Sequence, residues 1–145
     1  MIQQKCKARI LVVEDNVADI ELLRLAFRRA ELDCEMVLIS DGGEAMDYVA
    51  TCGKYLSEAA PDLAILDLNL PKFGGLEILA EMRKNPSFDD VYITVLSSSS
   101  WSRERVAIEA LRVHRFITKP SDLDEYLAIG VMVKDMLSER RLVGN

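Results

Sequence analysis

Glu14 and Asp15, Asp67, Ser97 and Lys119 each stand directly after a short apolar run: Arg9-Ile10-Leu11-Val12-Val13, Leu63-Ala64-Ile65-Leu66, Tyr92 to Leu96, and Phe116-Ile117-Thr118. Brought together, three carboxylates, a hydroxyl and an ammonium would form a charge-dense site. Clustered carboxylates resist joint ionisation unless a cation compensates them. Magnesium suits such a set, because it prefers octahedral oxygen coordination, keeps several waters, and is held by one or two carboxylates together with a phosphate. On this reading Asp15 and Asp67 are the direct ligands, Glu14 acts through water, and the backbone carbonyl of Asn69 supplies another oxygen. A magnesium ion, a free carboxylate and a lysine suit phosphoryl transfer, where positioning and charge neutralisation account for most of the catalysis. Asp67 is then the nucleophile, forming an acyl phosphate whose oxygens magnesium and Lys119 balance. Pro120 has no N–H and is open to a cis bond, which would help fix the turn that carries Lys119.

Residues so far apart in sequence meet only if the elements before them share a rim. Short runs rich in Val, Ile and Leu lie near residues 9–13, 34–39, 62–66, 91–96 and 115–118, as strands covered on both faces should be. Amphipathic stretches alternate with them. Residues 17–30 carry Ile20, Leu23, Leu25, Ala26 and Phe27 among charged neighbours, with Asn16 placed as a cap. Asp41-Gly42-Gly43-Glu44 opens a second helix in the manner of a capping box, and Ser121-Asp122-Leu123-Asp124 opens the last one, about 121–141. Helices near 75–84 and 102–112 complete five βα units. The series predicts an α/β fold, a flavodoxin-like doubly wound five-stranded parallel sheet in order 2-1-3-4-5 with five helices. In that order strands one and three meet at the switch point, so Glu14, Asp15 and Asp67 border the crevice where ligands bind. Ser97 and Lys119 follow from strands four and five.

The chain as a whole narrows what that site serves. Its 145 residues, half of them hydrophobic, make one domain with a core that needs no staples. A net charge of −6 and no long basic run disfavour direct nucleic-acid binding and anionic membranes. Neither a signal peptide nor an apolar run long enough to span a bilayer is evident, so a cytoplasmic location is expected. Cys6, Cys34 and Cys52 lack the spacing of a disulfide framework or a zinc site and read as reduced thiols. His114 has no matching cluster and reads as a strand-edge or surface residue.

Taken singly the segments are ambiguous. Glu14-Asp15-Asn16 reads as readily as a helix cap, Asp67 to Pro71 as a loop before a proline turn, and Lys119 as a solvated lysine. Jointly, Val13-Glu14-Asp15-Asn16, Leu66-Asp67-Leu68-Asn69-Leu70-Pro71 with Gly75, Leu96-Ser97-Ser98 and Ile117-Thr118-Lys119-Pro120 resemble the receiver domain of two-component response regulators, over nearly the whole chain. The resemblance implies that Asp67 takes phosphate from a phosphohistidine on a sensor histidine kinase. It also implies that Glu14 and Asp15 form the acid pair, Lys119 stabilises the phosphoryl group, and Ser97 and Phe116 are the switch pair. Such a protein catalyses only its own phosphorylation and dephosphorylation. Ser97 stands where threonine is commoner, Gly74 where aspartate often precedes Gly75, and Tyr92 where many relatives carry proline; no reacting group is lost.

The segment Tyr48 to Pro61, the wording Leu68-Asn69-Leu70-Pro71 and the run Asn85-Pro86-Ser87-Phe88 are most similar to small stand-alone regulators paired with bacterial phytochrome histidine kinases. Chemotaxis-type and phosphorelay receivers are the alternatives. A haloacid dehalogenase-like phosphohydrolase fits less well, since it needs Asp-x-Asp-x-Thr after its first strand. Residues 1–145 are expected to form a single receiver domain without an output domain, so output passes to a downstream protein target. Leu123, Tyr126, Leu127, Ile129, Val131, Met132, Val133, Met136 and Leu137 give the last helix a wide apolar surface, part for the core and part for a homodimer or a partner.

Overall fold

The computed structural model describes residues 7–52, 59–70, 74–98, 109 and 111–143. Five strands, β1 (Ala8–Val13), β2 (Cys34–Ile39), β3 (Leu63–Asp67), β4 (Tyr92–Ser97) and β5 (Arg115–Thr118), form one parallel sheet in the order β2-β1-β3-β4-β5. The described residues include four α-helices: α1 (Val17–Arg29), α2 (Gly42–Thr51), α3 (Gly75–Lys84) and α4 (Leu123–Val143). A 3-10 turn at Pro86–Phe88 follows α3. The helix expected near 102–112 lies almost wholly outside the described residues, as do Cys6, Pro71 and the middle of the Tyr48 to Pro61 segment. The expected strand order and the bounds of the described elements agree with the structure to within two residues. No described peptide bond is cis, so the bond before Pro120 is trans.

Alternation along each central strand splits the core in two. Leu11, Val13, Ala64 and Leu66 face α2 and α3, where Ala45, Val49, Ile78, Leu79 and Met82 meet them. Ile10, Val12, Leu63 and Ile65 face α1 and α4, where Leu23, Phe27, Tyr126, Ile129, Val133 and Met136 close over them. Successive strand residues point to opposite faces, so one apolar run serves both layers. The two edge strands depart from the expectation of strands covered on both faces: Glu35 in β2 is exposed, as are Arg115 and Thr118 at the ends of β5.

Helix starts are fixed by side chains at the carboxyl rim of the sheet. Asn16 Oδ1 accepts from the Asp19 amide (3.0 Å) at the head of α1, and Asp41 Oδ1 accepts from Gly43 (2.6 Å) and Glu44 (3.2 Å) at the head of α2. Asp122, rather than Ser121, caps α4 by accepting from Asp124 (2.7 Å) and Glu125 (3.3 Å). At the head of α3 the backbone itself is close: a Cβ on Gly75 would lie 2.6 Å from the Asp67 carbonyl oxygen. Glycine there lets α3 begin directly behind the Asp67 strand end.

Most of the last helix's apolar surface is core. Tyr126, Ile129, Val133, Met136 and Leu137 are buried, leaving Leu123 at 53% and Val131 at 54% exposure with half-buried Leu127 between them. His114 precedes β5, exposed; its Nδ1 accepts from the Ile93 amide at 3.0 Å, and its ring stacks on Tyr92 at 4.3 Å. Both residues therefore have structural work at the β4–β5 entry. Cys34 lies in β2 and Cys52 ends α2, and the two are not joined to each other in a disulfide.

Candidate phosphoryl-transfer and metal site

Register alone explains why the polar residues meet. Val13 pairs with Leu66, so Glu14, one residue on, is level with Asp67. Ser97 pairs with Thr118, so Lys119 leaves β5 one residue beyond Ser97, and its backbone amide donates to the Ser97 carbonyl at 2.6 Å. The ladder is continued past β1 by the Glu14 amide, which donates to the Ile39 carbonyl at 3.1 Å. Backbone pairing thus fixes each functional residue before its side chain makes any contact.

Carboxylate oxygens of Glu14, Asp15 and Asp67 lie within 4.8 Å of one another. Glu14 and Asp67 are almost wholly buried, at 1% and 3% exposure, whereas Asp15 faces solvent. Lys119 Nζ enters the group from the side, 3.0 Å from Glu14 Oε2 and 3.4 Å from Asp67 Oδ2. Its shortest ion pair, 2.7 Å, is with Asp19 Oδ2 in the first turn of α1. Asp19 Oδ1 in turn accepts from the Tyr126 hydroxyl at 3.2 Å. Asn69 donates its backbone amide to Asp67 Oδ1 (3.0 Å) and its side-chain amide to Ser98 Oγ (2.9 Å), linking the loops after β3 and β4.

Titration follows from this crowding. Burial, and then the Asp67 carboxyl alongside, push Glu14 up to about 7, against the Asn16 amide and the Lys119 ammonium, which favour its charged form. Burial works against the charged form of Lys119, but the bonds to Asp19 and Glu14 outweigh it and raise its pKa. Tyr126 is raised as well, by burial and then by the negative charge of Asp19 and Glu14, so its hydroxyl keeps its proton and donates.

The donor set fits a divalent metal ion. All the candidate side-chain ligands are carboxylate oxygens, the choice of a hard cation. One buried oxygen, Glu14 Oε2, accepts no well-directed hydrogen bond despite its ion pair with Lys119. A buried acceptor left in that state is what a cation or a bound water would satisfy. With Glu14, Asp19 and Asp67 sharing one ammonium and Asp15 beside them, an added positive charge also favours the charged form of Glu14, against the burial and the Asp67 carboxyl that push its pKa up.

The structure brings together Glu14, Asp15, Asp67 and Lys119, and places the Asn69 peptide beside Asp67. Ser97, fully buried, ends β4 next to the Asp67 strand. Phe116 is not part of the charged group; it lies half-buried against the α2–α3 layer of the core, paired with Val95. Sequence reasoning missed Asp19 and Tyr126, reading one only among the charged residues of an amphipathic helix and the other as part of an apolar surface. The available signal was position: the first turn of α1 stands over the same rim as Glu14 and Asp15, and an acid there is stabilised by the helix N-terminus.

Comparison with known proteins agrees with this geometry. The response regulator Rcp1 of Synechocystis sp. is 35% identical over 116 residues, covering 80% of this chain and 79% of that protein. The crystal structure of its Mn(2+)-bound form superimposes with a TM-score of 0.77 at 32% identity, covering 88% of this chain and 91% of that one. The phosphorylated cyanobacterial phytochrome response regulator RcpA gives a TM-score of 0.80 at 36% identity, covering 91% and 94%. The response regulator MprA of Mycolicibacterium vanbaalenii is 35% identical over 122 residues, 83% of this chain, which spans about half (47%) of that protein's length. The response regulator receiver domain pattern matches residues 10–129, and with the acidic cluster at its switch point the chain belongs to the receiver-domain family of two-component response regulators.

Proposed function

We propose that the protein is a phosphorylation switch: Asp67 accepts a phosphoryl group from a partner histidine kinase, with magnesium bound at Glu14, Asp15 and Asp67. The observation that carries this reading is a buried carboxylate, Asp67, that shares one rim with two further acids and has a lysine ammonium 3.4 Å away. The Asp67 oxygen forms its bond to phosphorus as the phosphorus–nitrogen bond to the donor imidazole breaks, and the imidazole keeps that electron pair. The Asn69 amide holds the other Asp67 oxygen and so aims the carboxylate. Lys119 stabilises charge on the transferring oxygens, a role in which a desolvated ammonium is worth far more than in water. When bound, the metal ion neutralises phosphoryl charge and orients its oxygens; Glu14 and Asp15 hold it with Asp67, and the Asn69 carbonyl is a further candidate oxygen.

Output follows from the new charge. A phosphoryl group adds about −1.5 to −2 charge and strong acceptor oxygens, to which the Ser97 hydroxyl turns, drawing its loop inward. Phe116, half-buried at the neighbouring strand, then fills the space left behind. Reversing a two-state equilibrium from 1:99 to 99:1 takes about 5.5 kcal/mol, and each charged hydrogen bond gives roughly 1.5–3 kcal/mol. Two or three new contacts are enough. Similarity to RcpA supports a phytochrome histidine kinase as the donor and light signalling as the setting. Phosphotransfer from a panel of purified histidine kinases, compared by rate, tests both acceptor and partner: fastest transfer from a phytochrome kinase supports the pairing, and faster transfer from a chemotaxis kinase removes it.

A further inference from the structure

Asp67 is not the main partner of Lys119. Its ammonium is 2.7 Å from Asp19, 3.0 Å from Glu14 and 3.4 Å from Asp67, so the strongest hold on it in the resting protein comes from a residue of α1. Asp19 cannot simply follow the lysine toward an incoming group. Its own amide is tied to the Asn16 cap at 3.0 Å, and its second carboxylate oxygen takes the hydroxyl of Tyr126, a residue 2% exposed on α4. Behind this pair α1 and α4 are locked at close range. A Cβ on Gly130 would collide with the Ala26 carbonyl, and Lys134 Nζ donates to the Ala30 carbonyl at 2.9 Å.

We propose that Asp19, anchored by Tyr126, is a positioning residue that parks the Lys119 ammonium in the resting protein and competes with the phosphoryl group for it. This rests on the acceptor role given to Asp67 above. The flexible lysine stem already brings Nζ within 3.4 Å of Asp67, so a small swing exchanges one anionic partner for another. Phosphoryl oxygens at Asp67 would win that exchange, leaving Asp19 bonded to Tyr126 alone. The α1–α4 junction is thereby informed that the site is loaded, by a route separate from Ser97 and Phe116. Asp19 touches neither the donor nor the reacting oxygens; it acts through Lys119.

The test uses the full chain as wild type, Asp19→Asn, Tyr126→Phe, and Asp19→Asn in a Lys119→Met background. Asparagine keeps the shape of Asp19 and an acceptor for Tyr126 while removing the charge that holds the lysine. Loading by acetyl phosphate with magnesium should then quicken roughly tenfold, the scale of one competing charged hydrogen bond, and the phosphorylated form should last longer. Tyr126→Phe should shift both in the same direction by less. In the Lys119→Met background Asp19→Asn should change nothing, because no ammonium remains to be parked; an equal acceleration there would reduce Asp19 to a general field effect and overturn the proposal. So would loading of Asp19→Asn at the wild-type rate. Parking is also read without any phosphoryl donor, from exchange of the Lys119 ammonium protons by NMR in the metal-free protein. Protection in wild type that is lost in Asp19→Asn supports it, and exchange as fast as at the exposed Lys84 contradicts it. If wild type shows that protection yet takes no phosphoryl group, the acceptor role of Asp67 fails while the resting geometry stands.

Discussion

Glu14 is strongly perturbed by its surroundings. Its carboxyl is held up to about 7, by burial first and by Asp67 next, against an ordinary value of 4.5. Between those two values the folded protein binds a proton that the unfolded chain has released, so stability falls as pH rises through that window. The loss is on the order of 3 kcal/mol by the linkage of pKa shift to free energy. Urea denaturation without metal should therefore show lower stability at pH 8 than at pH 5, and Glu14→Gln should flatten that dependence. Magnesium at pH 8 should restore much of the loss in wild type and little in Glu14→Gln. A metal-free stability that rises from pH 5 to pH 8 would contradict the burial assigned to this carboxyl. Glu14, Asp15, Asp67 and Lys119 could be found from sequence because each follows an apolar run and shares a rim. The place of Asp19 in the first turn of α1 was the one signal for it, and its contact with Tyr126 was not legible, since only the packing of α1 on α4 brings the two together.

At the scale of elements, the junction of α1 with α4 and the end of α1 have separable energetics. Gly130 lies against the Ala26 carbonyl so closely that any Cβ must push backbone away. Overpacking of this kind costs typically 1–3 kcal/mol, so Gly130→Ala should lower the melting temperature measurably and disturb Tyr126, which sits one turn earlier on the same helix. Glu31 is the opposite case. It closes α1 with φ at 53°, and the Leu32 amide returns to the Phe27 carbonyl at 3.0 Å, a helix end that usually carries glycine. Relieving that left-handed residue should stabilise: Glu31→Gly is expected to raise stability by about 1 kcal/mol. Thermal unfolding of the two variants checks both signs. Strand and helix positions were readable because Val, Ile and Leu runs alternate with amphipathic stretches opened by Asn16, Asp41 and Asp122. The Glu31 turn was not, because its residue type disfavours the conformation that the surrounding hydrogen bonds impose.

For the molecule as a whole, a doubly wound sheet converts distant strand ends into one site, and its periphery must carry the result outward. Leu123, Leu127 and Val131 form a stripe on α4 with its two ends more than half exposed. If this stripe pairs two copies, sedimentation should show a dimer that Val131→Glu disrupts, and a monomer at high micromolar concentration in both phosphorylation states would exclude that role. Strand order was predictable from the alternation of elements and the rule for open sheets. How much of α4 is core was not, because an apolar stripe alone does not reveal what covers it. Whether Asp67 takes a phosphoryl group is decided by intact-mass measurement after incubation with acetyl phosphate. Wild type with magnesium should gain the mass of one phosphoryl group, and should gain none after chelation or in Asp67→Asn. A gain that persists in Asp67→Asn, or one indifferent to magnesium, would contradict that acceptor role.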